Sequence, residues 1–158
     1  MGIKDIFTND EWKNLLELPY AVGITVMFVS PSGPIGIIQE SKELAQEPFK
    51  LAAQSGSSGL VSALAVELQS NAKDIMKEQQ NEIKHSSPEA FKSKTIEASR
   101  VAAAALTKTS SDEAAAYKRW VLALGQKVAE AAKEHGVSVS PEENAVLKEI
   151  SSALGASS

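Results

Sequence analysis

One stretch, PYAVGITVMFVSP at residues 19–31, carries enough β-branched and aromatic side chains to suit a strand. No second stretch of this kind occurs in the chain to pair with it. An isolated strand leaves its backbone N–H and C=O groups without partners, and folded chains avoid that cost. The run is therefore read as helix. Because Tyr20–Val29 is apolar around its whole circumference, that helix belongs at the centre of a bundle. Pro19 suits the first position of a new helix, following a short one that carries Trp12, Leu15 and Leu16. Gly23 would let a neighbouring helix approach closely.

Helix starts recur along the rest of the chain. Thr8 with Glu11, Ser86 with Glu89, Ser110 with Glu113 and Ser140 with Glu143 each have capping-box spacing. In that motif a hydroxyl accepts from a free N–H of the first turn and the carboxylate reaches back to the cap. Pro88 and Pro141 stand just inside two of these starts, where a missing N–H costs nothing. Gly136 and Gly155 stand where helices should stop in a left-handed C-cap.

Periodicity agrees with the caps. Between Asp112 and His135, residues Ala114, Tyr117, Val121, Leu124, Val128 and Ala131 form one apolar stripe. Val61, Leu64, Leu68, Ala72, Ile75 and Met76 form another, with Glu67, Asn71, Asp74 and Glu78 on the opposite face. The end of that helix, KEQQNEIKH, is nearly all polar and is expected to project into solvent. Residues from Pro88 to about Thr107 are alanine-rich, and Val146, Leu147, Ile150 and Leu154 give the last helix its apolar face. Between the central run and Leu60, SPSGPIG at 30–36 reads as a turn, in which Pro31 stops the central helix and Gly33 takes a positive φ. Pro34 opens a helix through Ile37, Ile38 and Leu44, Pro48 breaks it, and SGSSG at 55–59 is a loop. The expectation is a compact, single all-α domain over residues 1–158 with about six helices, frayed at 1–7 and 155–158.

Composition narrows the function. The chain has 16 basic and 20 acidic residues, and its only arginines are Arg100 and Arg119. A phosphate-backbone partner calls for a basic cluster, so nucleic acid is not expected. There is no cysteine, which excludes disulfides, thiolate metal sites and cysteine nucleophiles. The longest apolar run is about half the length that spans a bilayer. No membrane span is expected, and the N-terminus lacks the pattern of a signal peptide. The default reading is a soluble, cytoplasmic protein.

Candidate chemistry is thin. SPSGPIG lacks the Lys-Ser/Thr of a phosphate loop, and its prolines remove donors. Glu82 and His85 make a Glu-x-x-His pair on one helical face, but a di-iron bundle needs a second such pair. The other histidine, His135, has Ala132 three positions earlier. Glu134 with His135 and Glu130 offers no better mononuclear site, and His135 fits a helix C-terminus. No metal or other cofactor is expected, and Glu82, His85, Glu134 and His135 are at most weak metal candidates. Paired carboxylates such as Glu40 with Glu43 or Glu142 with Glu143 read as solvated faces or caps. No Gly-x-Ser-x-Gly elbow occurs, so no catalytic residue is assigned. Trp12, Trp120 and Tyr117 read as core aromatics rather than pocket walls. Lys118 and Arg119 form a basic spot too small for a polyanion.

The C-terminal part, AYKRWVLALGQKVAEAAKEHGVSVSPEENAVLKEISSALG, resembles the end of uncharacterised bacterial all-α proteins. Its last helix-turn, GVSVSPEENAVLKEISSALG, is distantly similar to tellurite-resistance (TerB-like) helical domains. Those domains place an acidic residue before the turn glycine, followed by a Ser/Thr-x-x-Glu cap. Ser140 and Glu143 keep the cap, while His135 takes the acidic position before Gly136. The resemblance implies an all-α fold, and the change to His135 weakens any metal role it would carry.

The reading that follows is a non-catalytic helical interaction or scaffold domain, possible stress association included. The alternatives are a small-ligand or metal-binding protein of the TerB-like kind, then an enzyme with an unrecognised site. Self-association as a homodimer is expected through the N-terminal half, because the Tyr20–Val29 run is apolar all round and six short helices give limited surface to cover it.

Overall fold

The computed structural model describes residues 3–29, 59–85, 87–134 and 141–155. Among them are a 3-10 turn at Ile3–Ile6 and five α-helices: α1 (Asn9–Val29), α2 (Gly59–His85), α3 (Pro88–Leu106), α4 (Ser111–Glu134) and α5 (Pro141–Leu154). The described residues contain no strand, and the fold is an all-α bundle. The turn, helix and break expected at 30–58 lie outside the described residues, as do His135, Gly136 and Ser140. Residues 1–7 are expected to fray, yet Ile3–Ile6 form a turn and Phe7 is buried in the core.

Helix α1 is the axis of the bundle and touches all four other α-helices, most heavily α3 and α4. From Tyr20 to Val26 every residue is buried, Tyr20, Val22 and Val26 completely. The chain's own helices thus cover this part of the run, so it does not supply the exposed face from which a dimer is expected. The stripes pack onto α1 as the periodicity implies. Leu60, Val61, Leu64, Leu68 and Ile75 of α2 are buried, as are Tyr117, Val121 and Leu124 of α4 and Val146, Ile150 and Leu154 of α5.

Pro19 does not begin a helix. It lies inside α1, which runs unbroken through it. A proline has no N–H to give the carbonyl four residues earlier, here Leu15, and a buried carbonyl without a partner is costly. The Tyr117 hydroxyl of α4 donates to that carbonyl at 2.9 Å in a buried setting. Burial pushes the Tyr117 phenol well above its ordinary pKa, so it stays protonated as a donor. A single helix survives because another helix supplies the missing hydrogen bond.

The caps divide in the same way. Thr8 and Glu11 form the complete box: Glu11 N–H donates to Thr8 Oγ1 at 3.1 Å, and Thr8 N–H to Glu11 Oε1 at 2.8 Å. Ser87, not Ser86, caps α3, accepting from Ala90 N–H at 3.1 Å. With Pro88 at the first helical position, the cap must be the residue directly before it. Glu113 N–H donates to Ser110 Oγ, and the Glu113 carboxylate accepts from Gly59 and Leu60 N–H at 3.1 and 2.7 Å, capping the start of α2. Gly155 takes φ 71°, a left-handed stop for α5.

The tightest approach falls at Gly125, where a Cβ would meet Leu147 at 2.6 Å and Val22 at 3.1 Å. Gly23, which the sequence marks for this role, is buried within α1.

Candidate functional site

Two seams along α1 hold polar side chains, and in one of them each has a partner. On the α3 side, Thr25 Oγ1 lies 3.0 Å from Thr95 Oγ1, the Thr95 hydroxyl reaches the Phe91 carbonyl at 3.0 Å, and Ser99 donates to the Thr95 carbonyl at 2.8 Å. Thr25 also lies 2.7 Å from the Ala21 carbonyl. The Thr95 and Ser99 hydroxyls return their protons to helix carbonyls, as Ser and Thr do when buried in helices, and Thr25 shares its one proton between the Ala21 carbonyl and Thr95 Oγ1. On the α2 side near the N-terminus, Glu67 accepts from Trp12 Nε1 and Lys4 Nζ, both at 2.8 Å. Burial works against its ionisation, but these bonds outweigh it and hold the carboxyl below the ordinary glutamate value. Glu67, assigned by periodicity to the solvent face, is therefore an anchor between α2 and the N-terminal turn.

Further along α1 the seam opens into a cleft of about 210 Å³ between α1, α2 and α3. Helix α1 contributes Asn14, Glu17, Leu18 and Ala21, and α2 contributes Gln79 and Glu82. Helix α3 closes it with Phe91, Lys94, Thr95 and Ala98. At the rim Lys94 pairs with Glu82 at 3.1 Å. Asn14 Nδ2 donates to the Ala98 carbonyl at 3.0 Å. Burial pushes the Glu17 carboxyl above its ordinary value; Lys13 at 3.9 Å pulls it back, and Glu78, which hydrogen-bonds it, and Glu82 push it up again.

Gln79 is the exception among these groups. It is 8% exposed, lines the cleft, and has no hydrogen-bond partner among the described residues. The sequence places it in KEQQNEIKH, the tract expected to project into solvent. Lys77, Glu78, Asn81, Glu82 and His85 are indeed exposed, but Gln79 faces inward four residues after Ile75. The helical spacing from Leu68 and Ile75 was the signal for it, masked by the polarity of its neighbours.

Glu82 lines the cleft, whereas His85 is exposed at the end of α2. The Glu134 side chain and His135 lie outside the described residues. Among the described residues, no three or more His, Cys, Asp or Glu side chains are placed to hold a metal ion. Tyr117 and Trp120 are buried, packed edge to face at 6.0 Å, and belong to the core. A larger groove of about 600 Å³ between α3 and α5 carries Arg100, Lys148, Glu149 and Ser152, all exposed. No described helix is long and apolar enough to cross a membrane.

The chain matches no known family model, no curated protein and no solved structure. The residues on which the likeness to tellurite-resistance domains depends, His135, Gly136 and Ser140, lie outside the described residues.

Proposed function

We propose that the chain is a non-catalytic helical binding domain whose ligand sits in the cleft between α1, α2 and α3. The observation that carries this reading is the buried Gln79 amide, which has no partner among the described residues. An amide in that position costs about 1–3 kcal/mol, and a ligand that hydrogen-bonds it offsets the cost. The rest of the cleft suits the same role, with apolar walls and a few convergent polar groups. The small-ligand alternative thus moves ahead of the scaffold reading. An organic ligand is favoured over a metal ion, because Lys94 shares the site with the carboxylates. The proposal includes a soluble, cytoplasmic setting, supported by the charged outer faces of the described helices. A thermal-shift screen with small polar compounds tests it. At least one compound should raise the melting temperature of the wild type and leave Gln79→Leu unmoved; a screen in which none does so rejects the reading.

Self-association through the N-terminal half is the second reading. Its support is exposed apolar surface there: Ile6 is 43% exposed and Val66 66%, on two elements that touch. Sedimentation that shows a single 16.7 kDa species at all micromolar concentrations would reject the homodimer.

A further inference from the structure

We infer that the α1–α2–α3 cleft takes a small organic cation, an ammonium or guanidinium head on a short aliphatic stem. The ligand class rests on the reading of the cleft as a binding site and names what that site selects.

Hydrogen-bonding capacity points to a donor-rich ligand. The Asn14 amide nitrogen is committed to the Ala98 carbonyl, which leaves its Oδ1 as an acceptor. The Thr95 hydroxyl reaches the Phe91 carbonyl, and the Lys94 ammonium is held by Glu82 at the rim. Glu17 accepts only, once ionised. Gln79 adds an amide with no partner among the described residues, a carbonyl oxygen that accepts and an NH2 that donates. The lining therefore offers acceptors from α1 and α2, at Asn14, Glu17 and Gln79, against the Gln79 NH2 as a free donor.

Charge points the same way. Glu17, Glu78 and Glu82 face Lys13 and Lys94, three carboxylates against two ammonium groups. Lys94 is matched by Glu82. Lys13 is 66% exposed and 3.9 Å from Glu17, so solvent screens it. Glu17 is left hydrogen-bonded to Glu78 through a shared proton in a partly buried position, and a ligand cation is the natural replacement for that proton. An anion would meet these carboxylates, and a neutral ligand would leave them unbalanced.

Size and walls define the rest of the ligand. At about 210 Å³ the cleft is smaller than the roughly 300–1,000 Å³ of drug-sized sites. Leu18, Ala21 and Phe91 give it an apolar side along which a short methylene chain can lie.

The experiment titrates the full-length protein, at constant ionic strength, with 1,4-diaminobutane and 4-aminobutylguanidine. The neutral 1,4-butanediol and the anionic glutarate are titrated in parallel. Binding is read by calorimetry and by the NMR signals of the Gln79 side-chain amide. The expected result is saturable binding of the two cations with movement of the Gln79 signals. Glu17→Gln and Gln79→Leu should each weaken it by about tenfold or more, as loss of a charge-assisted hydrogen bond does. Both substitutions keep side-chain volume, and melting curves check that the variants fold; if either fails, the comparison of cations with diol on the wild type decides. Equal or tighter binding of the diol or glutarate overturns the ligand class, as does cation binding that Glu17→Gln leaves unchanged. If diol or glutarate binding disappears in Gln79→Leu, the cleft is still a ligand site and only the class is wrong. If none of the four compounds binds, the ligand class falls, and the thermal-shift screen alone decides whether the cleft is a ligand site.

Discussion

Two buried polar side chains, one on α4 and one on α2, meet opposite fates. Tyr117 is fully buried and gives its proton to the Leu15 carbonyl, the one group in α1 that Pro19 leaves without its helical donor. Gln79 is nearly as buried and has no partner among the described residues. A buried polar group completes the structure when it answers a need elsewhere in the chain. When no such need exists, the group is a cost to folding, and a ligand is one way to remove that cost.

The largest effect that breaks this comparison is on the α4 side. Val121→Asp would force an unpaired carboxylate into a completely buried position beside Tyr117 and Trp120. The expected loss is several kcal/mol, comparable to the stability of a whole domain. Circular dichroism melting should show an unfolded or very low-melting protein, and an unchanged melting temperature would place this face in solvent.

Next comes the Tyr117 hydroxyl itself. Tyr117→Phe leaves the Leu15 carbonyl without a donor and should cost about 1–3 kcal/mol in urea unfolding. In a Pro19→Ala background, residue 19 regains an N–H for that carbonyl, so the same substitution should cost much less. A double-mutant cycle measures the difference. Equal costs in both backgrounds would show that the hydroxyl does not compensate for the proline.

Gln79→Leu should behave oppositely. It replaces an unpartnered amide with an apolar group of similar size, so stability without ligand should hold or rise by up to about 1 kcal/mol. A clear loss in the same urea assay would mean that the amide has a partner in solution.

The smallest effect sharpens the contrast through pH. Glu17 has its folded pKa raised, chiefly by burial, so the stability tied to its proton is present at low pH. That stability is lost as pH rises from the ordinary glutamate value through the folded one. Glu67 has its folded pKa lowered, burial being outweighed by Lys4 and Trp12. Its contribution is present above the ordinary value and lost as pH falls through the folded one. In melting temperatures measured from pH 3 to 7, Glu17→Gln should therefore gain on the wild type as pH rises, and Glu67→Gln should fall behind it. Parallel curves would remove the electrostatic distinction between the two seams.

The all-α class was legible in the sequence, because one β-like run without a partner, recurrent caps and helical stripes all point to it. So were the buried faces of α2, α4 and α5, since helical spacing places Leu64, Val121 and Ile150 on one side whatever they pack against. The Thr8–Glu11 box and the Gly155 stop were legible too, because their atoms lie within one turn of each other. The candidate site was not. Glu82, at most a weak metal candidate on its sequence, lines the cleft in a pair with Lys94. Gln79 was hidden in a polar tract.

What the sequence determined by itself is therefore local: where helices form, which side of each is apolar, and where short-range caps close. Tertiary structure decided every question whose answer lies on another helix. It decided that α1 runs through Pro19, since the replacement donor is Tyr117, 102 residues from Leu15. It sent the Glu113 carboxylate to the start of α2. It also enclosed Gln79 between α1 and α3. The physical reason is common to all three. A side chain within one helical turn competes on fixed geometry, whereas a hydrogen bond or a buried amide between helices depends on which faces meet, and packing sets that.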